Sequence, residues 1–326
     1  MNGPNKSLVT LRPGLGAGLE EFNLAASRNG FIGHRMFPFF NVPVAADKFG
    51  RRTLASILQE YDDRRASGGG YSRSDMDFED DFYATVEYGH EGVVDDRNLK
   101  LYENYFDAEI IVAEQTRDVV MRRHEVRCAS KIHDTAVFTP NPVTNEWNDF
   151  AAATPILDVE KGVRVLRANG VRANCLQIGW ETFRNLTLCD EIIEKVSSFG
   201  AGASIKPGDI TVEDLKKCFK LEFIEVGDAQ RNTAAKGLAA DLDEIWSDEY
   251  AFVTRIATTN NIAEPCIGRC FHWAGDGSVP GGAFESYRED KVRGDILRCR
   301  HEVDLKLLYT AAGYLLSNIK DPLLTL

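Results

Sequence analysis

The sequence has no run of 18 or more apolar residues, so no segment reads as a membrane-crossing helix. It has no excess of basic charge either: 38 Lys and Arg stand against 50 Asp and Glu, a formal net charge of -12. A general basic coat binds DNA by neutralising phosphates, so that role is excluded. An acidic surface suits a wall that must not hold DNA. Gly-x-Ser-x-Gly, His-Glu-x-x-His and the Gly-Lys-Ser/Thr phosphate loop are all missing. The six histidines (His34, His90, His124, His133, His272 and His301) are dispersed and outline no catalytic group. Cysteine is scarce, odd in number and scattered, which argues against a disulfide scaffold and for small buried side chains. The opening MNGPNKSLVTLRPG lacks the apolar core of a signal peptide, so a cytoplasm is the expected site of synthesis and assembly.

What is there is an ordinary globular composition: 44% hydrophobic and 27% charged residues over 326 positions, enough for one large domain or two small ones. Three short patterns resemble ligand sites. Gly14-Leu15-Gly16-Ala17-Gly18 lacks the preceding strand and the last glycine of a nucleotide loop. Cys266, Cys270 and His272 lack the second ligand pair that zinc needs. Asp75-x-Asp77-x-Glu79 has Asp80 where a calcium loop needs glycine, and Val86 at the twelfth position. No catalytic residue, metal or cofactor is therefore expected.

The segments differ in character. Residues 1 to about 45 are rich in Gly, Pro, Asn and Phe and read as an extended arm, whose Phe37, Phe39 and Phe40 need a surface on this chain or another. Lys48 to Arg73 is basic and holds Gly68-Gly69-Gly70. Ser74 to Asp96 carries nine acids and no Lys or Arg. These two limbs read as a long hairpin, with a strand near Phe82 to Tyr88. A lone two-stranded hairpin is marginal in water, so this one should lean on a neighbour. No Gly or Pro interrupts the chain between Gly92 and Pro140. The spacing of Leu101, Tyr105, Ala108, Val112 and Val119 predicts one helix from about Leu99 to Asp134, roughly 50 Å long.

Residues 155 to 275 alternate between helix and strand. Helices are expected from Pro155 to Val165, closed by Asn169-Gly170, from Trp180 to Leu186, from Cys189 to Val196, and from Val212 to Phe219 under a Thr211 cap. Strands are expected at Asn174 to Gly179, Leu221 to Val226, Ile245 to Ile256 and Cys266 to Trp273. More follow at Asp295 to Val303, Leu305 to Tyr309 and Gly313 to Ile319. The fold class is α+β.

The order of these segments resembles the major capsid protein of tailed bacteriophages, of the lambda-type group. The resemblance is carried by Trp147 to Asp158 (WNDFAAATPILD), Ala168 to Gly179 (ANGVRANCLQIG), Val226-Gly227-Asp228-Ala229, Ile245-Trp246, Ser286 to Asp290 (SYRED) and Ala312 to Leu316 (AGYLL). It implies the tailed-phage major capsid fold. Residues 1–45 would be the N-arm and 46–95 an extended β-hairpin loop reaching over an adjacent subunit. Residues 96–154 would be a peripheral domain with a long spine helix, and 155–280 an α/β axial domain. Residues 281–326 would add peripheral strands, the last returning to the axial domain.

The resemblance also implies a structural protein, not an enzyme. It would self-assemble into the pentamers and hexamers of an icosahedral head in the bacterial host cytoplasm, ending in the virion. The head would enclose double-stranded DNA without sequence-specific binding and without a membrane. A separate scaffolding protein and a portal are implied, and a decoration protein is compatible, because no long charged helical extension precedes the arm. The candidate inter-subunit contacts are Arg51, Arg52, Arg64, Arg65, Arg73, Asp75, Asp77, Glu79, Asp80, Asp81, Phe37, Phe39 and Phe40, with the basic run meeting acids of a neighbour. The runner-up is an encapsulin, a bacterial shell of the same fold that houses an enzyme. A soluble enzyme built on residues 155–275 is a third reading, without any motif to support it.

Overall fold

A computed structural model describes residues 10–11, 30–65, 67–73, 77–102, 108–198, 206 and 208–321. The Gly14–Gly18 loop, Asp75 and Tyr105 lie outside them.

The described helices are α1 (Gly33–Met36), α2 (Leu54–Leu58), α3 (Asp96–Tyr102), α4 (Ala108–Ile132), α5 (Pro155–Ala168), α6 (Trp180–Leu186), α7 (Asp190–Ser197) and α8 (Val212–Phe219). The strands are β1 (Thr10–Leu11), β2 (Phe39–Val42), β3 (Ala46–Arg52), β4 (Phe78–Ala84), β5 (Val86–Asp95), β6 (Asn141–Pro142), β7 (Cys175–Gly179), β8 (Phe223–Gly227), β9 (Gln230–Asn232), β10 (Leu242–Glu244), β11 (Ala251–Thr254), β12 (Gly268–Trp273), β13 (Ala283–Glu289), β14 (Gly294–Leu307) and β15 (Gly313–Ser317).

Two main sheets result. The first runs β1-β13-β14-β12-β2, with β5 on the other edge of β14. The length of β14 makes this possible. One edge takes β13 and then β12, while Gly294 to Val303 pair along the other with Asp95 to Val86. The second sheet runs β6-β15-β11-β7-β8, and its buried face packs on α5, α7 and α8 through Leu166, Leu176, Ile192, Leu215 and Val253. Pro155 opens α5 and Gly170, at φ +81, follows its end. Thr211 and Asp214 form a reciprocal capping box on α8.

Several expectations need correction. Of the single helix expected from Leu99 to Asp134, the described residues form α3 up to Tyr102 and α4 from Ala108 to Ile132, and the 25 residues of α4 span about 37 Å. Its buried face carries Thr116, Val120, His124, Cys128 and Ile132, whereas Leu101, Ile110 and Val119 face out. Polar residues inside the true stripe had hidden it. The strand near Phe82 to Tyr88 breaks at Thr85, whose hydroxyl meets Ala45 O at 3.0 Å and Glu302 Oε1 at 2.8 Å. Before the break the chain pairs with β3; after it, with β14. The expected strand from Ile245 shrinks to Ala251–Thr254, because Trp246 leaves the ladder and packs against Gly227, where a Cβ would lie 2.3 Å from its Cδ1. Leu305 is no new strand but continues β14. The strand around Cys270 joins the first sheet, and β15 lies in the second beside β11.

One buried group joins the parts. Glu125 of α4 is 1% exposed. Its Oε1 accepts hydrogen bonds from Ile32 N at 2.7 Å, Gly33 N at 2.9 Å and Trp246 Nε1 at 2.7 Å, and Oε2 also faces Gly33 N at 2.9 Å. Gly33 is required here, since a Cβ would sit 2.6 Å from Oε2 and 2.9 Å from Cys128 Sγ. Burial raises the Glu125 carboxyl from 4.5 to about 7, against the opposing pull of the three donors. A raised acid stabilises the fold fully below its unfolded value, and that contribution is lost as pH climbs through 7. Glu125→Gln should therefore gain about 3 kcal/mol relative to the parent between pH 4 and pH 8. Denaturant unfolding of both proteins at each pH measures this, and a constant difference across the range would refute it.

Candidate subunit interface

The hairpin β3–β4 projects from the first sheet, and its register sets its electrostatics. Arg51 lies opposite Glu79 and pairs with it at 2.5 Å, while its guanidinium covers the Tyr309 ring at 5.1 Å. Thr53 caps α2 through Ser56 N at 3.1 Å and donates to Asp77 at 3.2 Å. Asp81 pairs with Lys306 at 2.9 Å, and the Lys306 ammonium sits over Phe82 at 4.4 Å. Tyr309 donates to Arg52 O at 2.8 Å. Tyr83 stacks on Phe271 at 4.9 Å, and Phe49 joins them. The root of the hairpin is thus bound to its own β12 and to the end of β14.

These contacts revise the list of candidate contacts. Arg51, Asp77, Glu79 and Asp81 already have partners in this chain: antiparallel pairing sets Arg51 against Glu79, Thr53 donates to Asp77, and Lys306 of β14 holds Asp81. Phe37 is completely buried, Phe39 stacks on His124 and Phe40 meets Phe271 edge-on, so the end of the arm finds its surface within the subunit. Asp80 is exposed and, like Arg52, Arg64 and Arg73, forms no ion pair among the described residues. Arg65 donates to Gly69 O at 2.7 Å and lies over Tyr71. The outer hairpin exposes Tyr71 by 70% and Leu58 by 60%, with Phe78 and Tyr61 about half exposed, and Phe82 near the root is 63% exposed. A two-stranded ribbon cannot cover both of its faces.

Behind the hairpin, Glu91 of β5 and Asp96 at the start of α3 meet arginines from β14 and β13. Glu91 pairs with Arg298 at 2.7 Å and Asp96 with Arg288 at 2.5 Å. Arg300, nearly buried, holds Glu285 at 2.6 Å and also Asp276. The members of this cluster come from three distant segments, so no local pattern marks it.

Cys128 Sγ lies 3.6 Å from His124 Nε2, the geometry of a thiol–imidazole pair. Burial pushes the imidazole well below its ordinary value and the thiol well above, so both stay neutral and no thiolate forms. Burial likewise lowers His34 and His133 to about 4 and His301 to about 3. Among the described residues no group of three or more His, Cys, Asp or Glu is arranged to hold a metal ion. No described helix is long and apolar enough to cross a membrane.

No family model matches the sequence, and no curated protein matches it. Solved structures do match. A phage-related protein from Bordetella bronchiseptica superposes with a TM-score of 0.67 at 17% identity, over 96% of this chain and 98% of that one. The capsid of cyanophage P-SCSP1u gives 0.55 at 10% identity, over 88% of each chain. The chain has the tailed-phage capsid fold. A virus-like particle from Pyrococcus furiosus shares this capsid fold at a TM-score of 0.53 and 11% identity, over 92% of this chain and 99% of that one.

The ion cluster behind the hairpin carries a test of its own. Removing one member of a buried pair strands the other, at a cost of about 3 kcal/mol. Arg300→Met should lose that amount in denaturant unfolding, and Arg300→Met with Glu285→Leu should recover part of it. A double variant less stable than the single would refute the pairing.

Proposed function

We propose that this protein is the major capsid protein of a tailed phage, assembling into pentamers and hexamers of an icosahedral head around double-stranded DNA. The observation that carries the reading is a capsid fold matched over nearly the whole chain, with a projecting hairpin whose apolar tip one subunit cannot cover. The first sheet with α4 acts as the peripheral domain and the second sheet as the axial domain, around which the rings close. The hairpin reaches a neighbouring subunit through its outer part. Heterologous contacts of this kind close into rings and shells. The acidic balance lets the genome slide during packaging. A scaffolding protein and a portal complete assembly, in the host cytoplasm, and the product is the virion shell. The role is structural rather than catalytic.

The likeness to a virus-like particle supports a second reading, an encapsulin-type shell around a protein cargo. Particles filled with DNA and bearing a portal vertex, seen by electron microscopy, would decide for the phage head.

The placement of Arg64 and Arg65 on the outer hairpin gives the direct test. Arg64→Glu with Arg65→Glu should leave a folded, soluble subunit with an unchanged melting transition that forms no closed shells in sedimentation. Normal particles from this variant would remove the hairpin's charges from the assembly mechanism.

A further inference from the structure

Below the hairpin lies a cavity of about 480 Å³ that the assembly reading does not use. It opens where α5 and α8 end. Val163, Phe219 and Leu221 give it an apolar lining, and Arg167, Arg172 and Lys220 stand at its rim. These three cations are exposed and form no ion pair among the described residues. The acid beside them, Glu160, is held by Arg164 at 3.0 Å.

The hairpin already touches this rim. Leu58, the last residue of α2, fills the space where a side chain on Gly170 would stand: its Cδ1 is 2.2 Å from an ideal Cβ. Gly170 lines the cavity. Immediately after Leu58 the chain reads Gln59-Glu60-Tyr61-Asp62-Asp63, all of it exposed and without regular structure. Tyr61 is the one aromatic of this stretch and is 47% exposed. Glu60, Asp62 and Asp63 form no ion pair among the described residues. Three residues of chain span at most about 10 Å, so Tyr61 can reach the cavity while Leu58 stays in place.

We propose that this cavity is a seat for residues 59–63 of the same chain, in which Tyr61 enters between Val163, Phe219 and Leu221 while Asp62 and Asp63 meet Arg167, Arg172 and Lys220. Seated, the strap holds the hairpin against its own second sheet and draws Leu58 and Tyr61 out of water. A subunit in this state cannot offer those side chains to a neighbour. Release then exchanges a contact within one chain for a contact between chains. The seat stands on the geometry alone; its use as a brake on assembly rests on the shell reading.

The experiment uses the full-length, unassembled chain. Asp62→Cys with Arg172→Cys places one thiol on the strap and one on the rim, while the seven native cysteines are all buried. Mild oxidation of mixed isotope-labelled and unlabelled subunits, followed by peptide mass spectrometry, should give a disulfide only between peptides of the same label. Absence of the link, or links between differently labelled chains, would overturn the proposal. A second measurement does not depend on the cysteines. Arg167→Glu with Arg172→Glu should raise protease cleavage at Gly68-Gly69-Gly70 several-fold, and adding Asp62→Lys and Asp63→Lys should restore the parental rate. Cleavage that ignores both changes would also overturn it. Particle formation by the parent protein is scored separately, so loss of the shell reading would be seen with the strap intact.

Discussion

A buried carboxyl group organises this molecule. Taking a lone carboxylate out of water costs several kcal/mol, and the donors that converge on Glu125 offset only part of that, since burial still raises the group to about 7. The donors come from the arm, at Ile32 and Gly33, and from the loop that carries Trp246 into the core. The carboxylate itself rides on the helix that lines the first sheet. Three segments distant in sequence must therefore arrive together. Once they do, Phe31, Met36 and Phe37 pack with Met121, Cys128 and Ile132, and Trp246 with Phe252 closes the far side. Gly33 and Gly227 make room for this arrangement, one beside the carboxylate and one under the indole.

The second constraint is the length of β14. A strand with three partners ties the hairpin's return limb to strands that come much later in the chain. Asp304 and Lys306, near its end, hold Ala84 N and Asp81 at the hairpin root. These contacts fix the root, while the outer hairpin beyond Arg52 leaves Leu58, Tyr61 and Tyr71 largely uncovered. A projecting element of this kind needs both properties: a fixed base to set its direction and uncovered side chains to make a contact.

How much of this was legible in the sequence follows from the range of the interactions. Local signals were reliable. Pro155, Gly170 and the Thr211–Asp214 pair mark helix ends through contacts within a few residues, and the helix from Trp180 to Leu186 forms as expected. Strand order was less visible, because β14 and β12 acquire partners from far along the chain. The face of α4 was misread because His124, Glu125 and Thr116 are polar residues in buried places, and only partners elsewhere explain them. The candidate contacts suffered from the same limit. Charge order along the hairpin was plain, but the register that sets Arg51 against Glu79 was not, so an internal pair looked like an external one. Phe37 looked like an arm residue in search of a neighbour, because nothing nearby in sequence reveals the pocket formed by α4 and β12.

The acidic balance takes on a different meaning in the structure. The run from Ser74 to Asp96 holds nine acids and no Lys or Arg, and seemed to concentrate the negative charge on one limb. Yet Glu79, Asp81, Glu91 and Asp96 each face a cation: Arg51, Lys306, Arg298 and Arg288. Much of that run is therefore electrically quiet at its own surface. Pairs formed within the subunit cannot also steer one subunit to another, since their fields largely cancel beyond a Debye length of about 8 Å. What can act at a distance is charge left over: Arg52, Arg64 and Arg73 on the basic limb, Glu60, Asp62 and Asp63 among them, Asp80 on the other limb, and the cations around the cavity beneath. Charges of both signs thus stand unpaired among the described residues of the outer hairpin, and no single sign dominates it. Such a surface selects another copy of the chain by local complementarity rather than by overall attraction, and salt should weaken those contacts more than it weakens the fold.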